Sequence, residues 1–274
     1  MATELAGRYE MGAVIGEGAW GTVHVGRVLA GDDTVAIKLL KPEVLLGIPE
    51  AIERFKREAL ALRRLRHPNI IRVLEFISAE EQHAIVMEYA GGGSLRDRMD
   101  HQQHMPVADI LPIARELMSA LHSLQEMGII HRDLKPGNVL FAADGTLRLT
   151  DFGLVYMHDL EHITRTGIPL GTTHYLPPEA IKGEKVDARG DLWACGVMLY
   201  EMLTGALPFS GRNLAHTLNA IMEQPLPPII DRRPDCPPAL AALVTGLLEK
   251  DREVRLGPAA AVLRALAHLP AAPR

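Results

Sequence analysis

The chain has 274 residues, room for one large domain or for two lobes sharing a cleft. With 47% apolar residues a sizeable core is expected, and a net charge of −5 argues against a nucleic-acid binder, which carries a basic excess. Two cysteines, Cys195 and Cys236, are too few for a disulfide framework. Residues 1–12 lack the basic-then-apolar pattern of a leader, and no apolar stretch reaches the roughly 20 residues of a membrane helix. The expectation is a cytoplasmic chain without membrane or nucleic-acid contact.

The first third reads as strands. Residues 9–15 and 22–29 flank a glycine cluster, and a turn at Gly31-Asp32-Asp33 leads into a strand over 34–40. The period then changes: Ile52, Phe55, Ala59, Leu62 and Leu65 recur at spacings of three and four, an amphipathic helix opening just after Pro49. Strands follow over 70–76 and 84–89, and Gly91-Gly92-Gly93 breaks the chain. Helical patterns then cover 110–124, 188–204, 214–222, 239–248 and 259–266. A short hairpin, 139–141 and 146–150, interrupts them around Asp144-Gly145, favoured chemistry for a tight turn. Residues 192–203 are apolar nearly all round and end at Gly205, the mark of a buried core helix. The proline-dense run 224–238 reads as a surface connection. A β-rich front and an α-rich back describe a two-lobed α+β architecture, with lobes over 1–90 and 91–274.

Gly16-Glu17-Gly18-Ala19-Trp20-Gly21-Thr22-Val23 fits G-x-G-x-x-G-x-V between two strands. Glycines let backbone N–H groups approach a polyphosphate. Alone this is weak evidence, although the β-branched strand that follows disfavours dinucleotide binding, where a helix would open. Val35-Ala36-Ile37-Lys38 sets a lysine among apolar strand residues. Glu58 falls on the apolar stripe of the next helix, where an acid is costly unless a partner such as Lys38 meets it. Reaching water from the stripe's edge is the alternative.

His131-Arg132-Asp133-Leu134-Lys135-Pro136-Gly137-Asn138 and Asp151-Phe152-Gly153 follow. Here the chain resembles the eukaryotic-type protein kinases, most of all their bacterial serine/threonine members, from about Tyr9 to about His268 with the motifs in family order. The resemblance implies one kinase domain over residues 1–274, moving the γ-phosphate of Mg·ATP to serine or threonine hydroxyls of proteins. Asp133 would accept the hydroxyl proton, and Lys135, usual in the serine/threonine branch, would contact the γ-phosphate. Lys38, held by Glu58, would grip the α- and β-phosphates. Asn138 and Asp151 would hold Mg²⁺. The loop Ile15, Gly16, Glu17, Gly18, Ala19, Trp20 and Gly21 would cover the phosphates. Val23, Ala36 and Leu140 would sandwich adenine, Glu88 and Ala90 would bond it through the backbone, and Met87 would be the gatekeeper.

Further parts resemble the family. Glu179 and Arg255 look like a distant ion pair, and Leu62, Val73, His131 and Phe152 like the apolar column of an active kinase. The helix from Asp191 looks like the one that anchors the activation segment. Arg132 before Asp133 resembles kinases awaiting a phosphate on that segment, with Thr164 and Thr166 as autophosphorylation sites. The resemblance also admits a transient homodimer for trans-autophosphorylation. Two departures, Pro177-Pro178-Glu179 for Ala-Pro-Glu and Gly171-Thr172-Thr173 for Gly-Thr-Pro, touch the substrate-side loop and remove no catalytic group. A pseudokinase scaffold is the alternative, but it predicts loss of Lys38, Asp133, Asn138 or Asp151. The pairs His101/His104 and His158/His162 lack a third ligand and read as solvated rather than zinc-binding. Arg63, Arg64 and Arg66 read as a basic helix end favoured by the helix dipole.

Overall fold

Alternating apolar residues at the front of the chain fold into a six-stranded sheet. Its strands are β1 (Thr3–Leu5), β2 (Tyr9–Glu17), β3 (Gly21–Val28), β4 (Thr34–Leu40), β5 (Val73–Ala79) and β6 (Gln82–Glu88), in the order β1-β2-β3-β4-β6-β5. The structure is a computed structural model and describes residues 3–18, 21–42, 51–79, 82–152 and 173–269. For Thr3, Ala51, Arg54, Glu58 and Ala61 it describes the backbone alone. By contacts the chain divides into a sheet unit, Met1–Gly92 with Phe141–Arg148, and a helical unit, Gly93–Leu140 with Leu149–Arg274.

In the sheet unit all neighbouring strands run antiparallel, so directly paired residues share a face. Val35 and Ile37 on β4, with Ala84 and Val86 on β6, point to one side and join Leu5, Tyr9 and Ile77 in an apolar cluster. Helix α1 (Ala51–Arg64) packs on β5 and buries Phe55, Ala59 and Leu62, the stripe expected from the sequence. Phe55 meets Phe76 edge-on at 6.0 Å. The strand expected over 70–76 is found at 73–79. Ile70 N–H bonds His67 O, and that turn keeps residues 67–70 out of the ladder.

The helical unit contains α2 (Leu95–Asp100), α3 (Val107–Glu126), a 3-10 turn (Pro136–Asn138), α4 (Pro178–Ile181), α5 (Arg189–Thr204), α6 (Leu214–Glu223), α7 (Ile229–Arg232), α8 (Pro238–Leu247) and α9 (Ala259–Ala267). A two-stranded hairpin, β7 (Val139–Phe141) and β8 (Leu147–Leu149), has strands divided between the two units. Every residue of α5 from Gly190 to Leu203 is buried. α3, α7 and α8 pack around it, and α8 comes so close that a Cβ on Gly196 would lie 2.9 Å from Leu247 Cβ. α5 ends on Gly205 in the left-handed region, as expected. α9 lies along α3, which caps both of its ends: Gln125 Oε1 accepts from Ala259 N, and Arg115 donates to Leu266 O. Among the described residues no helix is long and apolar enough to cross a membrane.

Candidate active site

The loop over residues 131–138, the catalytic loop by its family resemblance, has no regular structure before its 3-10 turn, so other groups must hold it. The first turn of α5 does so through Asp191, whose Oδ2 accepts from His131 N at 2.8 Å and Oδ1 from Arg132 N at 2.9 Å. Burial pushes the Asp191 carboxyl up, while the two N–H donors and the nearby Arg132 charge favour the charged form. We take it as the carboxylate, because both its oxygens face donors.

His131 is fully buried, and burial lowers its pKa, so the ring is neutral. Its tautomer follows from its partners. Nε2 lies 2.9 Å from Thr150 O, an acceptor, so Nε2 carries the proton, and Nδ1 accepts from Asp133 N at 3.3 Å. The ring also packs on Phe152, centroids 4.8 Å apart.

These bonds set Asp133. Its Oδ2 accepts from Lys135 Nζ at 2.8 Å and Asn138 Nδ2 at 3.0 Å, and its carbonyl accepts from Asn138 Nδ2 at 2.7 Å. Lys135 and Asn138 therefore converge on one carboxylate. Asn138 directs its amide N–H groups to Asp133, which leaves Oδ1 as its acceptor atom, the type a hard cation takes. Asp151 supplies a carboxylate just past Thr150, whose N–H bonds Asn138 O. One carboxylate and one amide oxygen fit magnesium, which keeps several waters and takes most other ligands from substrate phosphates. No group of three His, Cys, Asp or Glu suited to a metal occurs among the described residues. Arg132 and Asp151 adopt positive φ, 67° and 55°, a conformation uncommon for non-glycine residues.

In the sheet unit the register pairs Val23 with Lys38 and Lys38 with Ile85, and Val25 with Ala36 and Ala36 with Met87. Val23, Ala36, Lys38 and Met87 therefore share the face opposite the apolar cluster. Glu88 lies on the other face, its Oε1 accepting from Arg148 Nε at 3.0 Å and Arg72 N at 3.1 Å, so only its backbone could serve a ligand on the Lys38 face. The three loop glycines differ. A Cβ on Gly21 would lie 2.2 Å from Leu39 O, so the sheet itself demands glycine there. Among the described residues, a Cβ on Gly16 or Gly18 would meet nothing closer than 3.7 Å, so the packing seen here does not itself require glycine at either. Gly18 N–H donates to Gly21 O at 2.9 Å and narrows the turn.

Ile15 and Glu17 end β2, with Ile15 largely exposed. Leu140 bridges Ser94, and Ala90 follows β6. Leu62 and Val73 are buried in the sheet unit, His131 and Phe152 in the helical unit. Glu179 and Arg255 meet as expected, through two bonds of 2.7 and 2.9 Å. Ala19, Trp20, Gly153, His158, His162, Thr164, Thr166, Gly171 and Thr172 lie outside the described residues, as does the Glu58 side chain and with it the pairing to Lys38. The bonds from Arg148 to Glu88 and from Arg96 to Tyr175 and Glu201 escaped sequence reasoning, since the partners lie 60 or more residues apart.

The protein kinase domain model matches residues 9–267. The chain is 36% identical over 247 residues to the probable serine/threonine-protein kinase PknB of Lactococcus lactis, covering 90% of this chain and 39% of that protein. It is 39% identical over 283 residues to the serine/threonine-protein kinase PksC of Streptomyces coelicolor, covering 97% of this chain and 50% of that one. It therefore spans half or less of the length of these two relatives. Among solved structures, Rad53 1-466 in complex with AMP-PNP superposes with a TM-score of 0.79 at 28% identity, over 94% of this chain and 64% of that one. A match this long, with the motifs in family order, has one reading: the chain belongs to the eukaryotic-type protein serine/threonine kinases.

Proposed function

We propose that this chain transfers the γ-phosphate of ATP, with magnesium, to serine and threonine hydroxyls of proteins. The observation that carries the proposal is the convergence of Lys135 and Asn138 on Asp133 in a loop fixed by Asp191. Asp133 accepts the hydroxyl proton as the new O–P bond forms and the bond to the β-phosphate bridging oxygen breaks, releasing ADP. Lys135 steadies Asp133 and meets charge on the transferred group. Lys38, with Glu58, holds the α- and β-phosphates, and the turn from Gly16 to Gly21 covers them with backbone N–H groups. Adenine lies against Val23, Ala36 and Leu140 and bonds the backbone of Glu88 and Ala90. Magnesium, held by Asn138 and Asp151 together with the phosphates, would neutralise charge on the phosphate oxygens.

A pseudokinase scaffold is disfavoured because Lys38, Asp133, Asn138 and Asp151 are all present. The same reading places the domain in the cytoplasm and gives it a protein substrate of its own kind, a second copy phosphorylated at Thr164 and Thr166, with Arg132 receiving the phosphate. The test compares wild type with Asp133→Asn under Mg·ATP and a dephosphorylated casein substrate. The variant should bind nucleotide normally while kcat falls about 10²–10⁴-fold. Mass spectrometry of the wild type should find phosphate on Thr164 or Thr166. Near-normal turnover by Asp133→Asn would remove Asp133 as the base.

A further inference from the structure

The strand that leads into the glycine turn is loosely laddered. β2 pairs with β3 residue for residue from Tyr9 to Met11, but its register shifts between Met11 and Val14 and again between Val14 and Gly16. Side chains take over where the ladder thins. His24 Nδ1 lies 3.2 Å from Gly12 O and so donates to it, and His24 Nε2 lies 3.0 Å from the Thr22 hydroxyl. This relay braces the root of the turn. Its outer end is braced by an ion pair, Lys41 Nζ to Glu17 Oε1 at 2.6 Å, which reaches across β3 from the end of β2 to the residue after β4.

The face on which this pair lies gives it its meaning. Glu17 pairs with Thr22 and Thr22 with Leu39, and Leu39 packs on the apolar cluster, so Glu17 stands on the face opposite Lys38. The Lys38 face is the one that would receive the phosphates. Glu17 is the one acid between Gly16 and Gly21, and a carboxylate in a turn that covers phosphates repels them. The hydrogen bond from Lys41 holds the Glu17 carboxyl below the usual carboxylate range, so the acid is ionised at neutral pH. Lys41 answers that charge in two ways: it supplies a countercharge, and it draws the carboxylate to the far face. With 65% of its side chain exposed, Glu17 has no packing that would keep it there alone.

We propose that Lys41 is a positioning residue for the nucleotide: through its ion pair it keeps Glu17 turned away from the phosphates, and so tunes the affinity of the glycine turn for ATP. This rests on the protein-kinase reading above. Handling of the protein substrate, which uses other residues, does not depend on Lys41.

The experiment compares wild type, Lys41→Met, Lys41→Arg and the double variant Lys41→Met/Glu17→Gln. Calorimetry gives Kd for AMP-PNP with magnesium, and assays on dephosphorylated casein give KM for ATP and KM for casein separately. Lys41→Met should weaken AMP-PNP and raise KM for ATP about 3–10-fold, the scale of a surface ion pair and a freed charge. KM for casein should stay within about twofold, and Tm should not move. Lys41→Arg, which keeps the countercharge, should stay near wild type. The double variant should regain most of the lost affinity, because no acid is left to hold away. The proposal is overturned if Lys41→Met binds AMP-PNP like wild type, or if KM for casein worsens in step with KM for ATP. It is also overturned if the double variant binds as weakly as Lys41→Met, which would make Lys41 act independently of Glu17. A wild type that binds no AMP-PNP would instead sink the protein-kinase reading, and this inference with it.

Discussion

The two units keep their charges in opposite places. In the sheet unit the described ion pairs Arg8–Glu75, Arg27–Glu10 and Lys41–Glu17 lie at the surface, each with a partner more than half exposed, and Arg148–Glu88 is half-buried. The cluster from Leu5 to Val86 is apolar apart from the Tyr9 hydroxyl, which bonds Glu75. In the helical unit Asp191, Glu201, Glu179, Arg233 and Arg255 are all buried. Three of them bond to backbone: Asp191 to His131 N and Arg132 N, Arg255 to Glu249 O, Arg189 O and Lys250 O, and Arg233 to Met105 O and Leu203 O, whereas Glu179 and Glu201 bond to side chains. A sheet sets its register by its own ladder, so its interior side chains need only fill space. Helices satisfy all but their terminal hydrogen bonds internally and have only those ends with which to register neighbours. Buried charges that reach across to loop and helix-end carbonyls supply that register here.

Removing one charge should therefore hurt the helical unit most. Arg255→Ala leaves Glu179 buried and uncompensated, and should cost about 3–5 kcal/mol, read as a fall in Tm. Arg255→Lys should recover little of it, because the pair is bidentate. An unchanged Tm would erase the contrast between the units.

In the sheet unit an apolar truncation should matter most. Ile37 is fully buried beneath the ladder, and Ile37→Ala should cost about 2–5 kcal/mol by the same measurement. A smaller effect comes from the capping box of α2, where Ser94 N–H and hydroxyl donate to Asp97 and lower its pKa. A carboxyl whose folded pKa is depressed stabilises above its unfolded value near about 3.9 and loses this as pH falls through the folded value. Wild type should thus melt above Asp97→Asn at pH 6, and the gap should close on acidification below pH 4. Arg27→Ala, which opens an exposed pair on the sheet, should leave Tm unchanged.

Legibility in the sequence followed the same divide between local and distant causes. Helices α3, α5, α6, α8 and α9 and strands β2 to β4 carry their own periodicity and were read within a few residues. β1 was missed because its cause is a turn: Ala6 and Gly7 both take positive φ, 51° and 62°, and Arg8 N–H closes on Leu5 O. Alanine does not advertise such a turn. α2, α4 and α7 span 6, 4 and 4 residues, too short for a periodic signal. In the candidate site, Asp133, Lys135 and Asn138 could be named together because they sit in one contiguous motif, and the fold does bond them to one another. Arg96, Tyr175 and Glu201 could not, because sequence separations of 79, 105 and 26 residues are closed only by the fold.

The burial of α5 on every side has a kinetic side. An amphipathic helix can rest half-formed at a collapsing surface, with its polar face in water, whereas α5 has no face to leave wet. Until α3, α7 and α8 are in place around it, its apolar residues and the two acids among them have no acceptable solvent. The last of those three arrives with residues 238–247, some forty residues after α5 is synthesised. During that interval a nascent chain carries an exposed, strongly apolar segment, the kind that chaperones bind and that seeds aggregates when they do not. The helix that aligns the catalytic loop is thus also the segment that ties the birth of this domain to being made in one piece.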